Sequence, residues 1–259
     1  MSRYAVLFER LRKRGEGAFG AFVMLGDPGL EASAAILDAL VEAGADMLEV
    51  GIPFSDPVAD GPVIQAAAVR ALAAGVRTAD CFRLLALFRR RHPNVPVGIL
   101  TYANIVVARG REAFYASAAS AGVDSVLVAD VPLCEASPFL DPARDAGVSP
   151  VLIAAPNTPI ATLRAIAAAS EGYVYCVARA GVTGADDEVR FSAELIEKLR
   201  SHGAAPPILG FGISRPDHVR LALQAGAAGV IAGSAIVERA SRGEDLAGFV
   251  AQMKAATRR

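Results

Sequence analysis

Tryptophan is absent from this 259-residue chain, and lysine, histidine and cysteine number three each. Each scarcity closes off a class of chemistry. Lys13, Lys198 and Lys254 all fall in segments with helical periodicity, so none is expected at a strand end where a Schiff-base lysine would be placed. His92, His202 and His218 also fall in helices or at helix ends, scattered and without carboxylates at ligand spacing. That argues against a catalytic metal and against a Ser-His-Asp arrangement. Cys81, Cys134 and Cys176 are odd in number, widely spaced and in apolar surroundings; they read as reduced core thiols of a cytosolic protein. Charge of one sign is lacking too: 26 basic residues face 27 acidic ones with no basic block, so nothing points to nucleic acid. No apolar run reaches the ~18–20 residues of a membrane span. The stretch from Ser2 to Arg14 alternates arginine with leucine and phenylalanine and has no apolar signal core. The expectation is a soluble, cytoplasmic protein.

What is abundant is Ala, Val, Leu and Gly, within a hydrophobic share of 53%, a composition suited to strands covered on both faces by helices. One unit recurs. Glu42-Ala-Gly-Ala-Asp-Met-Leu-Glu-Val-Gly51 returns in outline as Ser120-Ala-Gly-Val-Asp-Ser-Val-Leu-Val-Ala-Asp130, as Asp145-Ala-Gly-Val-Ser-Pro-Val-Leu-Ile-Ala154 and as Gln224-Ala-Gly-Ala-Ala-Gly-Val-Ile-Ala-Gly233. In each, a helix ends, a glycine takes the left-handed position, and a short β-branched run follows as a buried strand. Four more strand candidates lie between: Ala18 to Leu25, Val95 to Tyr102, Tyr173 to Arg179 and Pro207 to Gly212. The total of eight strands alternates with helical segments such as Leu30 to Ala43, Asp80 to Arg91, Glu112 to Ala121, Pro159 to Ala169 and Ala193 to His202. That is the arithmetic of an α/β fold of the (β/α)8 TIM-barrel type. An open doubly wound sheet competes, but Gly26-Asp-Pro-Gly29 after the first strand is not a dinucleotide fingerprint. Residues 1–259 read as a single domain. An extra N-terminal helix, about Arg3 to Arg14, plugs the floor, and an extended loop from Pro53 to Arg77 follows the second strand.

In such a barrel the chemistry lies at the C-terminal strand ends. Strand alternation sets Glu49 on the face opposite Leu48 and Val50, hence into the barrel mouth. Asp56 and Asp60 follow in a proline-rich loop. A desolvated strand carboxyl beside a wetter, ionised loop carboxylate is how a site obtains two acids of different character. The alternative is a strand glutamate paired with a core arginine and a solvated loop. A second signal is Gly210-Phe-Gly-Ile-Ser214 and Gly233-Ser-Ala-Ile236, two glycine turns that each open a helix. Their backbone N–H groups can cradle a phosphate without any lysine or arginine; the alternative is two ordinary helix starts capped by Ser214 and Ser234. A third is Ala178-Arg-Ala-Gly-Val-Thr-Gly184, a candidate lid with Thr183 and Gly184 able to touch a ligand.

These motifs, with Leu25-Gly-Asp-Pro-Gly29, Leu48-Glu-Val-Gly-Ile-Pro-Phe-Ser-Asp-Pro57, Ala59-Asp-Gly-Pro62, Tyr102-Ala-Asn104, Asp124 to Pro132 and Arg179 to Gly184, give the chain a resemblance to the tryptophan synthase alpha chain family from Tyr4 to about Thr257. The resemblance implies a carbon–carbon lyase of tryptophan biosynthesis. It would cleave indole-3-glycerol phosphate to indole and glyceraldehyde 3-phosphate by carboxylate acid–base catalysis. It implies Glu49, Asp60 and Tyr175 as catalytic residues, and an indole pocket walled by Phe22, Leu100, Leu127, Ala129, Ile153 and Ile231. It places the phosphate on the backbone of Gly184, Gly212 and Gly233, with Ser234 contributing, and adds Thr183 and Phe211 to the substrate-binding residues. Pro53, Phe54, Asp56, Asn104 and Pro132 correspond to surface that meets the family's beta chain, in an alpha2beta2 hetero-tetramer. The chain itself then needs no cofactor, pyridoxal phosphate belonging to the beta partner. A free-standing lyase and a non-catalytic relative share much of this pattern. Ala178 departs from it, standing where the family often has serine.

Overall fold

The computed structural model describes residues 1–177 and 191–258. The candidate lid, with Ala178, Thr183 and Gly184, lies outside the described residues. Nine strand segments form one parallel sheet: β1 (Ala18–Met24), β2 (Met47–Gly51), β3 (Val97–Thr101), β4 (Ser125–Val128), β5 (Ser149–Pro150), β6 (Ile153–Ala154), β7 (Val174–Val177), β8 (Pro207–Gly210) and β9 (Gly229–Ala232). Their order across the sheet is β5-β4-β3-β2-β1-β9-β8-β7-β6. The two ends of that series are neighbours in the chain. β5 pairs with β4 and β6 with β7, and between them the Val151 N–H donates to Val126 O (3.0 Å) while Leu152 O accepts from the Tyr175 N–H (3.0 Å). They are two pieces of one stave, which closes the sheet into the expected eight-stave barrel. The expected fifth strand is broken because Pro150 has no N–H to give to the ladder.

Helices α1 (Arg3–Arg14), α2 (Leu30–Glu42), α3 (Pro62–Ala73), α4 (Thr78–Arg91), α5 (Ala103–Val107), α6 (Arg111–Ser120), α7 (Ser137–Asp145), α8 (Ile160–Ala169), α9 (Ala193–Ser201), α10 (Pro216–Gln224), α11 (Ser234–Arg242) and α12 (Leu246–Ala255) accompany the staves. None is long and apolar enough to cross a membrane. The recurring unit behaves as its sequence implies: Gly44, Gly122, Gly147 and Gly226 all take positive φ just after α2, α6, α7 and α10. The extended loop after β2 holds more order than expected, because α3 forms inside it. Pro62 at its first position and an alanine-rich run explain that helix. Cys81 and Cys176 are buried, but Cys134 is exposed on the 3-10 turn Leu133–Glu135. The expectation of three core thiols fails there because the turn is too short to bury both its flanks.

α1 covers the barrel floor. Ser2 caps it by accepting from the Ala5 N–H. Tyr4 reaches inward, its hydroxyl 2.8 Å from Ser125 Oγ and its ring edge-on to Tyr173 at 5.4 Å. Asp124 ties the floor together, accepting from Arg3 Nη1 (2.9 Å), Arg89 Nη2 (2.8 Å) and the Val97 N–H (2.8 Å). Arg89 is largely buried and also donates to the carbonyls of Gly122, His92 and Val95. Removing Asp124 therefore leaves a buried cation without its counter-charge, a loss of about 2–4 kcal/mol. Asp124→Ala should lower the thermal unfolding midpoint, followed by circular dichroism, by about 5–12 °C. A change below about 2 °C would show that the floor does not depend on this ion pair.

Candidate active site

Glu49 sits in the middle of β2, opposite Phe22 of β1 and Gly98 of β3. It is 1% exposed. Burial pushes its carboxyl up to about 7, the Tyr173 hydroxyl donates to Oε1 at 2.8 Å and pulls the other way, and the charge of Asp60 adds to the rise. Among the described residues no arginine is a partner of Glu49, so the alternative of a core ion pair finds no support there. Tyr173 stays protonated, its phenol held well above its ordinary value by burial and by Glu49.

Asp60 lies at the end of the loop before α3, where Gln65 Nε2 donates to its carbonyl at 2.7 Å. It is 9% exposed, and burial raises its carboxyl also, opposed by a hydrogen bond from the Tyr102 hydroxyl. The expectation of a wet loop carboxylate is thus corrected. α3 and the ring of Tyr102 fold over Asp60, so its ionised form depends on a donor and not on water. Tyr102 also accepts from the Ala59 N–H (3.3 Å) and packs its ring on Phe54 at 5.4 Å. The rim is braced from the other side by Arg70 of α3, which grips Asp27 with two 2.7 Å hydrogen bonds.

The expected pocket residues occupy successive staves: Phe22, Leu100 and Leu127 on β1, β3 and β4, Ile153 on β6, Tyr175 on β7 and Ile231 on β9, with Ala129 just past β4. Leu100 pairs with Leu127 and Ile153 with Tyr175. A side chain at Gly20 would strike Ile231 and Met47, and one at Gly51 would strike Met24 and Phe22, so these apolar groups converge on the interior. Tyr175 is buried within electrostatic reach of both Glu49 and Asp60. The hydrogen bond to Glu49 comes from Tyr173, two residues earlier on the same inward face.

Past β8 the chain makes its tightest turn. Phe211 has φ 63°, the one non-glycine with positive φ among the described residues, and Gly212 follows with φ 74°. Such a conformation costs a side-chain-bearing residue about 1–2 kcal/mol. The Phe211 ring stands edge-on to Tyr175 at 5.7 Å, and a Cβ at Gly210 would overlap the Tyr175 hydroxyl. α10 and α11 then begin at Arg215 and Gly233, neither with a side-chain cap bond. The alternative of Ser214 and Ser234 as caps is not what forms. The uncapped start of α11 leaves N–H donors for an anion at Gly233–Ser234, and the left-handed turn Phe211–Gly212, ahead of α10, adds loop N–H groups. Among the surface candidates, Phe54 is half-buried while Asp56, Asn104 and Pro132 are exposed, but Pro53 is buried. Pro53 shapes that face from beneath and does not form it. Val58 and Val107 stand exposed on the neighbouring loop and helix.

No motif in the sequence assigns Tyr173 to the site, and Tyr102 appears there as a strand end and in the motif Tyr102-Ala-Asn104, without a role. The period-2 inward face shared by Tyr173 and Tyr175 was the available signal for the first; none marked the second.

A family model described as tryptophan synthase alpha chain matches residues 8–258. A tryptophan synthase alpha chain of Escherichia coli (strain SMS-3-5 / SECEC) is 54% identical over a 267-residue alignment covering all of both chains. One of Klebsiella pneumoniae (strain 342) is 52% identical, covering all of this chain and 99% of the relative. A solved Mycobacterium tuberculosis tryptophan synthase structure superposes with a TM-score of 0.91 at 31% identity, covering 100% of this chain and 99% of that one. An Aquifex aeolicus VF5 structure gives 0.92, also at 31%, over the whole of both chains.

The folded chain keeps the Glu49 proton up to about pH 7, whereas an unfolded one releases it near 4.5. Between those values the native state binds more protons, so it loses stability as pH rises through that window. Glu49→Gln removes the penalty. It should be the more stable protein by roughly 2–3 kcal/mol at pH 8, with the difference fading below about pH 4. Equal unfolding free energies of the two proteins at pH 8 would show that Glu49 is not desolvated as described.

Proposed function

The chain belongs to the tryptophan synthase alpha chain family, and on that premise we propose how its residues divide the lyase reaction. The substrate, indole-3-glycerol phosphate, lies with its ring among Phe22, Leu100, Leu127, Ala129, Ile153 and Ile231 and its phosphate on the backbone at Gly212, Gly233 and Ser234. Thr183 and Gly184 belong to the same substrate-binding set. Asp60 accepts the indole N–H proton as Glu49 delivers its own proton to ring carbon C3, giving the indolenine. Glu49, now a carboxylate, takes the proton of the hydroxyl on the carbon attached to C3. The C–O bond becomes a carbonyl, the carbon–carbon bond breaks, and its electron pair returns to the ring. Asp60 gives back the N–H proton, and indole and glyceraldehyde 3-phosphate leave. The observation that carries this reading is a buried Glu49 with a carboxyl at about 7, able to give and then take a proton, within electrostatic reach of Asp60. Tyr173 orients Glu49, and Tyr175, packed between the carboxylates and the phosphate turn, shapes the pocket.

Proton transfer alone accomplishes this cleavage, so the chain requires no cofactor of its own. Pyridoxal phosphate is expected in a beta chain that receives the indole. That partner would dock on the face of Phe54, Asp56, Asn104 and Pro132, to which the exposed Val58 and Val107 add apolar surface, giving an alpha2beta2 assembly in the cytoplasm.

Glu49→Gln should lower kcat by at least about 100-fold while substrate affinity stays within about threefold, because shape survives and proton transfer does not. Near-normal turnover in that variant would overturn the acid–base assignment. Asp60→Asn should lose activity of similar order. For the unsubstituted chain, kcat/KM should fall as pH rises through about 7, where free Glu49 loses the proton that C3 needs. Indole release by the purified chain should rise sharply when a tryptophan synthase beta chain is added; fast release indifferent to it would favour a free-standing lyase.

A further inference from the structure

We propose that His218 is a positioning residue for the phosphate turn: it clasps Gly212 and Ser214 from beneath and pins Arg215 beside them. The inference rests on the reading that this turn receives the phosphate, and deepens it. His218 lies in the first turn of α10 and is 4% exposed. Its Nε2 has Arg215 Nε at 3.2 Å and Arg215 Nη2 at 3.0 Å. The Ser214 N–H points at Nδ1 from 3.3 Å, Ser214 Oγ lies 3.4 Å from the same atom, and the ring donates to the Gly212 carbonyl. One imidazole cannot accept at both nitrogens. Two guanidinium N–H groups at Nε2 outweigh the single, longer Ser214 N–H contact at Nδ1, so Nε2 is the acceptor and the proton sits on Nδ1, where the Gly212 carbonyl and Ser214 Oγ can accept it. Burial and the Arg215 charge both hold the ring below its ordinary value, favouring that neutral form.

The clasp answers a need that the turn creates. A phenylalanine held at positive φ persists only where its surroundings over-determine it. From above, the Phe211 ring is held by Tyr175. From below, among the described residues, the buried polar side chain on the turn is His218. Fixing the Gly212 carbonyl downward fixes the peptide planes on either side, and so the direction in which the turn presents its N–H groups. Arg215, drawn onto Nε2, keeps a positive charge next to an anion site that otherwise relies on backbone donors.

The test compares His218→Leu with His218→Asn, whose amide nitrogen can replace Nδ1 as donor but leaves Arg215 without its acceptor. Affinities for glycerol 3-phosphate and for indole are measured alongside kcat, KM and thermal midpoint. His218→Leu should weaken glycerol 3-phosphate binding and raise KM by about 5–20-fold, with kcat at saturation within about twofold and indole affinity unchanged. His218→Asn should recover most of the loss. Unchanged phosphate-ester affinity in His218→Leu would overturn the proposal, as would a fall in kcat and indole affinity that tracks the thermal midpoint. Gly212→Ala separates the two readings: if it leaves phosphate-ester affinity intact, the turn is not the phosphate site, whereas if it weakens binding and His218→Leu does not, only the clasp is wrong.

Discussion

A carboxyl group withdrawn from water at the centre of an apolar barrel is the constraint around which this molecule is arranged. Among the described residues Glu49 has no cation as a partner, and the Tyr173 hydroxyl is its hydrogen-bond donor. Among the described residues, arginines at both ends of the barrel are engaged elsewhere: Arg3 and Arg89 hold Asp124 at the floor, and Arg70 holds Asp27 at the rim. An arginine against Glu49 would favour its ionised form and remove the proton that cleavage needs. The separation of cations from the centre is therefore as much a part of the site as the carboxylates are.

Polarity is layered along the barrel axis. Ion pairs and backbone carbonyls close the floor, with Lys254 of α12 joining Glu16 and Asp46 there. Above them come the phenols of Tyr4 and Tyr173 with Ser125, then Glu49 among apolar side chains, and last the rim with Asp60, Tyr102 and the backbone donors of α10 and α11. Each layer limits the next. The floor fixes α1, α1 places Tyr4 against Tyr173, and Tyr173 orients Glu49. At the rim, Tyr102 joins Asp60 on one side to Phe54 on the other, so the loop that carries the exposed face also bears on the second carboxylate.

The staves, the helix ends and Glu49 were legible in the chain because they follow from local rules, a glycine stop before a β-branched run and a polar residue on the inward phase of a strand. So was the uncommon pairing of two glycine turns at the last two staves. What escaped depended on contacts between distant residues. Asp60 is covered by Tyr102 from another stave, and no composition of its own proline-rich loop announces that. Tyr173 and Tyr175 share one face, but which of them meets a glutamate more than a hundred positions away is decided by barrel geometry. Cys134 is exposed because its apolar neighbours in sequence do not surround it in space. The break at Pro150 was readable in principle from its missing N–H. The helix α3 was concealed by the prolines around it.

Gly98 stands directly beside Glu49, and a side chain there would meet Ser125 Oγ at 2.6 Å, Tyr4 Oη at 3.1 Å and Tyr173 Oη at 3.4 Å. Four positions scattered over the chain thus share one small volume. None can be altered freely while the others stay, since a methyl at 98 becomes tolerable only once a hydroxyl has been given up elsewhere. In a diverging lineage these four sites would change together or not at all. The history of the acid at position 49 would then be written partly in the residue that was never allowed a side chain.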